Sequence, residues 1–231
     1  MTLKGIFPKL WRLTKRILFF LFIFQLLYIL YGKWCNPPIT FTQLGSWLSG
    51  YGCTRDYVSH SQISPNLRLA IIASEDQTFP DHEGLDWDAI EDAEEYNKTH
   101  KIKHGGSTIS QQTAKNFFLW QGRNYVRKGL EVYFTKMIEW TWSKQRILDA
   151  YINIIEMGKG IFGAEAAAQY YFKKPAIDLT MKESALIVAC LPNPKLWTLN
   201  PMHPRIAKRW PRILRQMNNI KDDPKIMALI N

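Results

Sequence analysis

The feature that most constrains this chain is an uncharged run near its start. From Ile17 to Gly32 the sequence ILFFLFIFQLLYILYG holds no charge and a single amide, Gln25. As a helix it rises ~24 Å at ~1.5 Å per residue, which is short for a bilayer crossing. Lys15, Arg16 and Lys33 bracket the run and can reach toward water, Leu10 and Leu13 extend its apolar face, and Trp11 and Trp34 stand where interfacial anchors belong. A buried core helix has no need of basic clusters at both ends. A cleaved leader needs small residues at its cut site, yet no alanine occurs before Ala70 and the flank reads Tyr-Gly-Lys-Trp-Cys. The expectation is a retained single span over 17–33, preceded by a basic cytoplasmic tail, 1–16, with the chain beyond Lys33 on the far side by the positive-inside rule.

Net charge is informative only through its distribution. The overall +10 invites a nucleic-acid reading, but residues 1–33 carry +6, residues 195–231 carry +6, and residues 34–194 carry −2. A slightly acidic middle does not suit a domain that tracks a phosphate backbone, so no nucleic acid is expected as a partner. The cations at the carboxyl end, Arg209, Arg212 and Arg215 among them, are expected to sit near anionic lipid headgroups. Cys35 and Cys53 could pair in an oxidising compartment or remain thiols, Cys190 inside ALIVACL reads as a small apolar core residue, and the three make no metal site.

Residues 34–64, with Pro37, Pro38, Gly45, Gly50 and Gly52, read as a turn-rich juxtamembrane linker. From 65 to 231 the apolar period is helical nearly throughout, which predicts one α-rich domain. Thr180 and Glu183 form a capping-box pattern ahead of ESALIVACL, and Pro192 and Pro194 stop that helix. GAEAAAQYYF predicts a closely packed helix after the glycine turn at Gly158 and Gly160.

Three segments carry chemistry. In AIIASEDQTFPDHEGLDWDAI an apolar helix ends on Glu75 and Asp76; such carboxylates are usually solvated, but burial beside Phe79 would make Glu75 a usable general base. The acidic alternation that follows lacks the spacing of an EF-hand. In HGGSTISQQTAKNFFL, Gly105 and Gly106 admit a close ligand, Ser107 or Thr108 caps the next helix with Gln111, and positions 107, 111 and 115 stack Ser, Gln and Lys above an amino terminus that favours an anion. In RNYVRKGLEVYFTKMIEW, the core stripe is Leu130, Tyr133, Phe134, Met137 and Ile138, with Arg127, Glu131 and Thr135 on an adjacent polar edge. Glu131 with Arg127 and Lys128 is either a surface ion pair of under ~1 kcal/mol or, with Arg123, part of a cationic wall for a diphosphate.

In order, SEDQTFPDHEGLD, GGSTISQQTAKN, RKGLE, KQRILDAYINIIEMGKGIFGAEAAAQYYF and ESALIVACLPNP resemble the motifs of the peptidoglycan glycosyltransferase family over roughly residues 65–195. One motif would be weak; five in sequence are specific. The chain contains no S-x-x-K and no K-T-G, so acyl-serine cross-linking is excluded and the resemblance is to the monofunctional branch. It implies a mainly α, lysozyme-like domain that polymerises lipid II by transfer of the growing glycan from undecaprenyl diphosphate to the 4-hydroxyl of the acceptor sugar. It further implies Glu75 as the base and Glu131 as the second glutamate, acting on the diphosphate side directly or through a divalent cation, Mg or Mn. The donor diphosphate would meet Lys115, Arg123, Ser107, Thr108, Gln111, Gln112, Arg127 and Lys128, with Asp76, Phe79, His82, Gly84 and Asn116 in support. The implied setting is the bacterial inner membrane with a periplasmic domain, and the implied partners are penicillin-binding proteins and division proteins.

Leaving-group chemistry separates this reading from a glycan-cleaving, lysozyme-like enzyme. A departing diphosphate is stabilised by fixed cations and needs no strong general acid, whereas a hydrolase needs a second carboxyl to protonate a sugar oxygen and has little use for Lys115 and Arg123. A non-catalytic membrane-tethered scaffold would leave the two glutamates unexplained.

Overall fold

The computed structural model describes residues 3–100, 105–122 and 124–231, in two units, Met1–Cys35 and Asn36–Asn231. The first is one helix, α1 (Leu3–Gly32), whose stretch Lys9–Gly32 contains an 18-residue window of mean hydropathy 1.9 and is long and apolar enough to cross a membrane. At ~1.5 Å per residue this stretch rises ~36 Å, so the helix continues past the uncharged run and supplies the length that the run alone lacks. Lys15 lies over the Trp11 ring at 4.9 Å and Lys33 over Trp34 at 5.5 Å, so the flanking cations and aromatics form pairs at each end.

The second unit begins inside the stretch expected to be a linker. Helix α2 (Phe41–Leu48) starts at Thr40, whose hydroxyl accepts the Gln43 N–H while the Gln43 side chain accepts the Thr40 N–H. Strand β1 (Thr54–Arg55) pairs in parallel with β3 (Ile161–Phe162), which pairs antiparallel with β2 (Glu156–Gly158). From α2 onward, 34–64 is therefore part of the folded body. Two-residue strands carry no periodicity to read, and the partner of β1 lies far along the chain. The turn into β3 requires Gly160, at φ +70, because a Cβ there would run into the Tyr51 carbonyl.

The centre of this unit is α3 (Pro65–Glu75), which starts on the Ser64 cap with Pro65 in its first turn. Leu67, Leu69, Ala70, Ile71, Ile72 and Ala73 are all buried, so the helix is apolar around its circumference, as a core helix must be. It packs against α9 (Met181–Cys190), α10 (Pro204–Ile220) and α11 (Pro224–Ile230). Its one buried cation, Arg68, donates to the carbonyls of Ile230, at 3.0 Å, and His60, and lies 3.6 Å from Asp149. Thr180 and Glu183 form the expected capping box on α9, and α8 (Ala164–Phe172) forms behind the glycine turn. Cys190 is buried, its thiol pushed up to about 12 by burial.

A second cluster sets α5 (Ile109–Phe118) against α6 (Tyr125–Thr141) and α7 (Lys144–Ile154), with α4 (Trp87–Thr99) entering on an Asp86 cap. On α6 the expected faces are exchanged. Arg127, Glu131 and Thr135 are buried with Ile138, whereas Tyr133 is exposed and Leu130 and Met137 are half-buried. The polar edge faces inward with its carboxylate and hydroxyl paired: the Thr135 hydroxyl donates to the Glu131 carbonyl at 2.7 Å and the Glu131 carboxylate is doubly paired, while Arg127 Nε is buried with no hydrogen-bond partner among the described residues.

Candidate active site

Glu75 closes α3 and is held from two directions. Its Oε1 accepts from Ser74 Oγ at 3.0 Å and from Arg209 Nη2 at 3.0 Å; its Oε2 accepts from Gln112 Nε2 at 3.2 Å. The Gln112 Oε1 in turn accepts the Tyr151 hydroxyl at 3.2 Å. The side chain is 15% exposed, so the carboxylate reaches solvent but is not freely solvated. Its partners are polar. Phe79 is buried with its ring edge-on to His82 and under the ammonium of Lys144.

Asp76 serves the scaffold. It accepts His82 Nε2 at 3.0 Å and the Ile109 N–H at 2.9 Å. His82 Nδ1 accepts the Gly84 N–H at 3.0 Å, which assigns the proton to Nε2 and makes the ring a neutral bridge. Gly84 sits at φ +87, its carbonyl accepting the Thr108 hydroxyl at 2.7 Å; a Cβ there would lie 2.7 Å from Thr135 Cγ2 and 2.9 Å from Glu139 Cγ. The whole PDHEG turn thus clamps the start of α5.

That clamp corrects the anion-site reading of α5. Its first N–H groups are already taken: Ile109 donates to Asp76, and Gln111 donates to the Thr108 hydroxyl while the Gln111 side chain accepts the Thr108 N–H at 3.0 Å. The anion at this helix start is Asp76. Thr108 and Gln111 are buried capping groups, Ser107 is exposed, and only Gln112 of the SQQ run turns to Glu75. Asn116 is a latch: its Oδ1 accepts from Gln121 and Thr42, joining α5 to α2.

One turn after Gln112, Lys115 faces the buried cluster on α6. Glu131, 3% exposed, accepts Arg127 Nη1 and Lys128 Nζ on separate oxygens, each at 2.6 Å. The surface-pair reading is therefore wrong, since the pair is desolvated. Burial pushes the Lys115 ammonium below the ordinary lysine range, opposed by Glu131 and reinforced by Arg127 and Lys128. Among the described residues Lys115 has no hydrogen-bonding or ion-pair partner, whereas Arg127 and Lys128 are already engaged. Arg123 lies outside the described residues. The residues do not fit a protein-held divalent cation: both Glu131 oxygens are occupied by cations, and no group of three His, Cys, Asp or Glu converges among the described residues.

Two cavities meet at Ala73, Ser74 and Gln77, beside the base. One, of about 450 Å³, is lined by Glu75, Asp76, Asp86 and Ser107. The other, of about 390 Å³, is lined by Trp197 and by Arg205, Lys208, Arg209 and Arg212 of α10. Arg209 was expected at lipid headgroups; it also donates to Ser74 Oγ at 2.7 Å, and so belongs to the site. Sequence reasoning missed both it and Tyr151. The spacing of Arg205, Arg209, Arg212 and Gln216 puts all four on one helical stripe, a signal that was available for a common facing surface.

A helix-end carboxylate with fixed donors, set beside buried and rim cations, has the chemistry to accept a proton next to groups that can stabilise an anion. The family model described as transglycosylase matches residues 42–218, from α2 to near the end of α10. A biosynthetic peptidoglycan transglycosylase of Mannheimia succiniciproducens is 52% identical over 170 residues, covering 74% of this chain and 70% of its own. One from Haemophilus influenzae is 46% identical over 226 residues, 92% and 90% of the two chains, and one from Yersinia pestis is 50% identical over 182 residues, 77% and 76%. The chain belongs to the transglycosylase family, and its mainly helical body is the lysozyme-like fold of that family.

Proposed function

We infer from these residues how the chain works as a peptidoglycan glycosyltransferase. Glu75 takes the proton from the 4-hydroxyl of the acceptor lipid II as that oxygen attacks the anomeric carbon of the growing glycan. The bond to undecaprenyl diphosphate breaks, and its electrons leave on the diphosphate. Lys115 meets that charge, with Arg127 and Lys128 behind it and Glu131 fixing both of them. The α10 cations line the neighbouring cavity, which meets that of Glu75 at Ser74, and suit the diphosphate of the acceptor lipid.

The observation that carries the reading is the presence, on adjoining elements, of a positioned carboxylate, Glu75, and of an ammonium, Lys115, that burial desolvates and that has no partner among the described residues. A hydrolase would need a carboxylic acid in the place that Lys115 holds. With α1 as the anchor of a membrane-associated enzyme, the basic tail argues for a cytoplasmic amino terminus, an inner-membrane setting and a periplasmic domain. Uncross-linked strands call for transpeptidases, so penicillin-binding proteins and division proteins are the partners that the product requires.

The test is full-length protein in detergent with labelled lipid II. Polymer and undecaprenyl diphosphate are expected from the wild type and neither from Glu75→Gln, with the thermal unfolding of that variant unchanged. Normal turnover by Glu75→Gln would remove the base assignment.

A further inference from the structure

We propose that Tyr151 is a positioning residue for Glu75 and acts through the side-chain amide of Gln112. The inference rests on the reading of Glu75 as the base, and deepens it.

Tyr151 lies on α7, fully buried, and its hydroxyl reaches Gln112 on α5. Burial, with the charge of Glu75 adding to it, pushes the phenol far above its usual range, so it remains an O–H donor at every pH where the enzyme works. That donor meets Gln112 Oε1 at 3.2 Å, and the opposite end of the same amide, Nε2, meets Glu75 Oε2 at 3.2 Å. With the amide turned over, its oxygen would face the carboxylate and two acceptors would repel. The hydroxyl therefore stabilises the one orientation of Gln112 that presents a donor to the base.

The terminal torsion of a glutamate is broad, so a carboxylate fixed at one oxygen still swings its other oxygen. In this site Ser74 and Arg209 hold Oε1, and Gln112 holds Oε2. Removing the Tyr151 hydroxyl releases the Oε2 side while leaving Oε1 and the cations of α6 and α10 in place. Misplacement of a catalytic group by ~1 Å costs on the order of 10²-fold in rate, which sets the upper range of the effect.

The experiment is a double-substitution cycle on the full-length enzyme, with kcat and KM for lipid II and thermal unfolding measured for each variant. Tyr151→Phe is expected to lower kcat by roughly 10-fold or more, short of that ceiling, with KM unchanged. Gln112→Met, which keeps the length of the side chain and loses both hydrogen bonds, is expected to do the same. In the Gln112→Met background Tyr151→Phe should have no further effect on kcat. Wild-type turnover by Tyr151→Phe overturns the proposal, and so do independent, multiplying losses in the double variant, since a merely structural tyrosine would act whatever stands at 112. Should Tyr151→Phe fail to fold, Gln112→Met decides alone: an unchanged kcat in that variant is fatal to the proposal. Activity of Glu75→Gln tests the base assignment separately; that variant inactive with Tyr151→Phe fully active would sink only the role given to Tyr151.

Discussion

Asp76 accepts the backbone N–H of Ile109 at 2.9 Å, so the residue that follows the base also seats the helix that carries Gln112 and Lys115. The two halves of the site, one on α3 and one on α5, are registered by a single carboxylate that takes no part in the chemistry proposed for them.

Asp76→Asn keeps the shape but loses the charge that both the His82 Nε2–H and the Ile109 N–H meet, and it sets an amide NH2 in place of the second oxygen, which lies 3.1 Å from His82 Nε2. A charge-assisted bond of this kind contributes on the order of 1.5–3 kcal/mol. The expected outcome is a lower melting temperature together with a lower kcat, and chemical denaturation beside steady-state kinetics would measure both. A variant with wild-type stability would show that α5 is seated by its capping box alone.

Lys115 sets stability against function. Its proton affinity in the folded chain is depressed by burial, so the charged form opposes folding in full below that folded pKa, and the cost shrinks as pH rises from it and is gone above the ordinary lysine value of ~10.4. Lys115→Met should therefore raise the melting temperature at neutral pH by ~2–4 °C per kcal/mol relieved while polymerisation is lost. In the wild type, donor binding needs the ammonium, so KM should climb with alkalinity from below the ordinary lysine value of ~10.4. A rise in KM that begins only above that value would contradict the burial argument.

Glu131→Gln leaves Arg127 and Lys128 without their shared counter-charge, and Arg127 is buried. Breaking such a pair costs ~3–5 kcal/mol, whereas replacing both members can be neutral. The single variant should unfold early, and the double variant Arg127→Met with Glu131→Met should recover most of the stability without recovering turnover. Urea titrations of the two would show the contrast; equal destabilisation would mean that the charges are not coupled.

Gly84→Ala is expected to lose ~1–3 kcal/mol, because the new methyl meets Thr135 and Glu139 and the backbone is in the left-handed region. Calorimetry would detect it as a fall in melting temperature, and an unchanged transition would mean that the α6 side chains yield freely.

What could be read without coordinates follows from the range of the interactions involved. The end of α3 on Glu75, the box at Thr180 and the stop at Cys190 are all written within a few neighbouring residues, and each is observed where it is expected. The failures involve distant partners. Nothing near Thr54 announces a strand whose mate is Ile161, so residues 34–64 look like a tether. Arg127, Glu131 and Thr135 look solvated until α5 covers them, because a satisfied polar edge and an exposed one have the same period. Thr108 and Gln111 look like ligand groups for the same reason that they make good caps, both being short-range hydrogen-bonders. Arg209 and Tyr151 lie on other helices, and their spacing from Glu75 along the chain carries no hint of contact.

The cluster on α5 and α6 also has a valence. Lys115, Arg127 and Lys128 set against Glu131 leave an excess of two positive charges in a corner where Arg127 and Glu131 are buried and Lys128 faces solvent. A diphosphate diester carries two negative charges, so its arrival would bring the corner to neutrality, and a monophosphate diester would bring it only halfway. The glutamate, on this view, is a trimming weight: without it the corner would be over-charged for its guest and would hold the departed lipid too firmly to turn over.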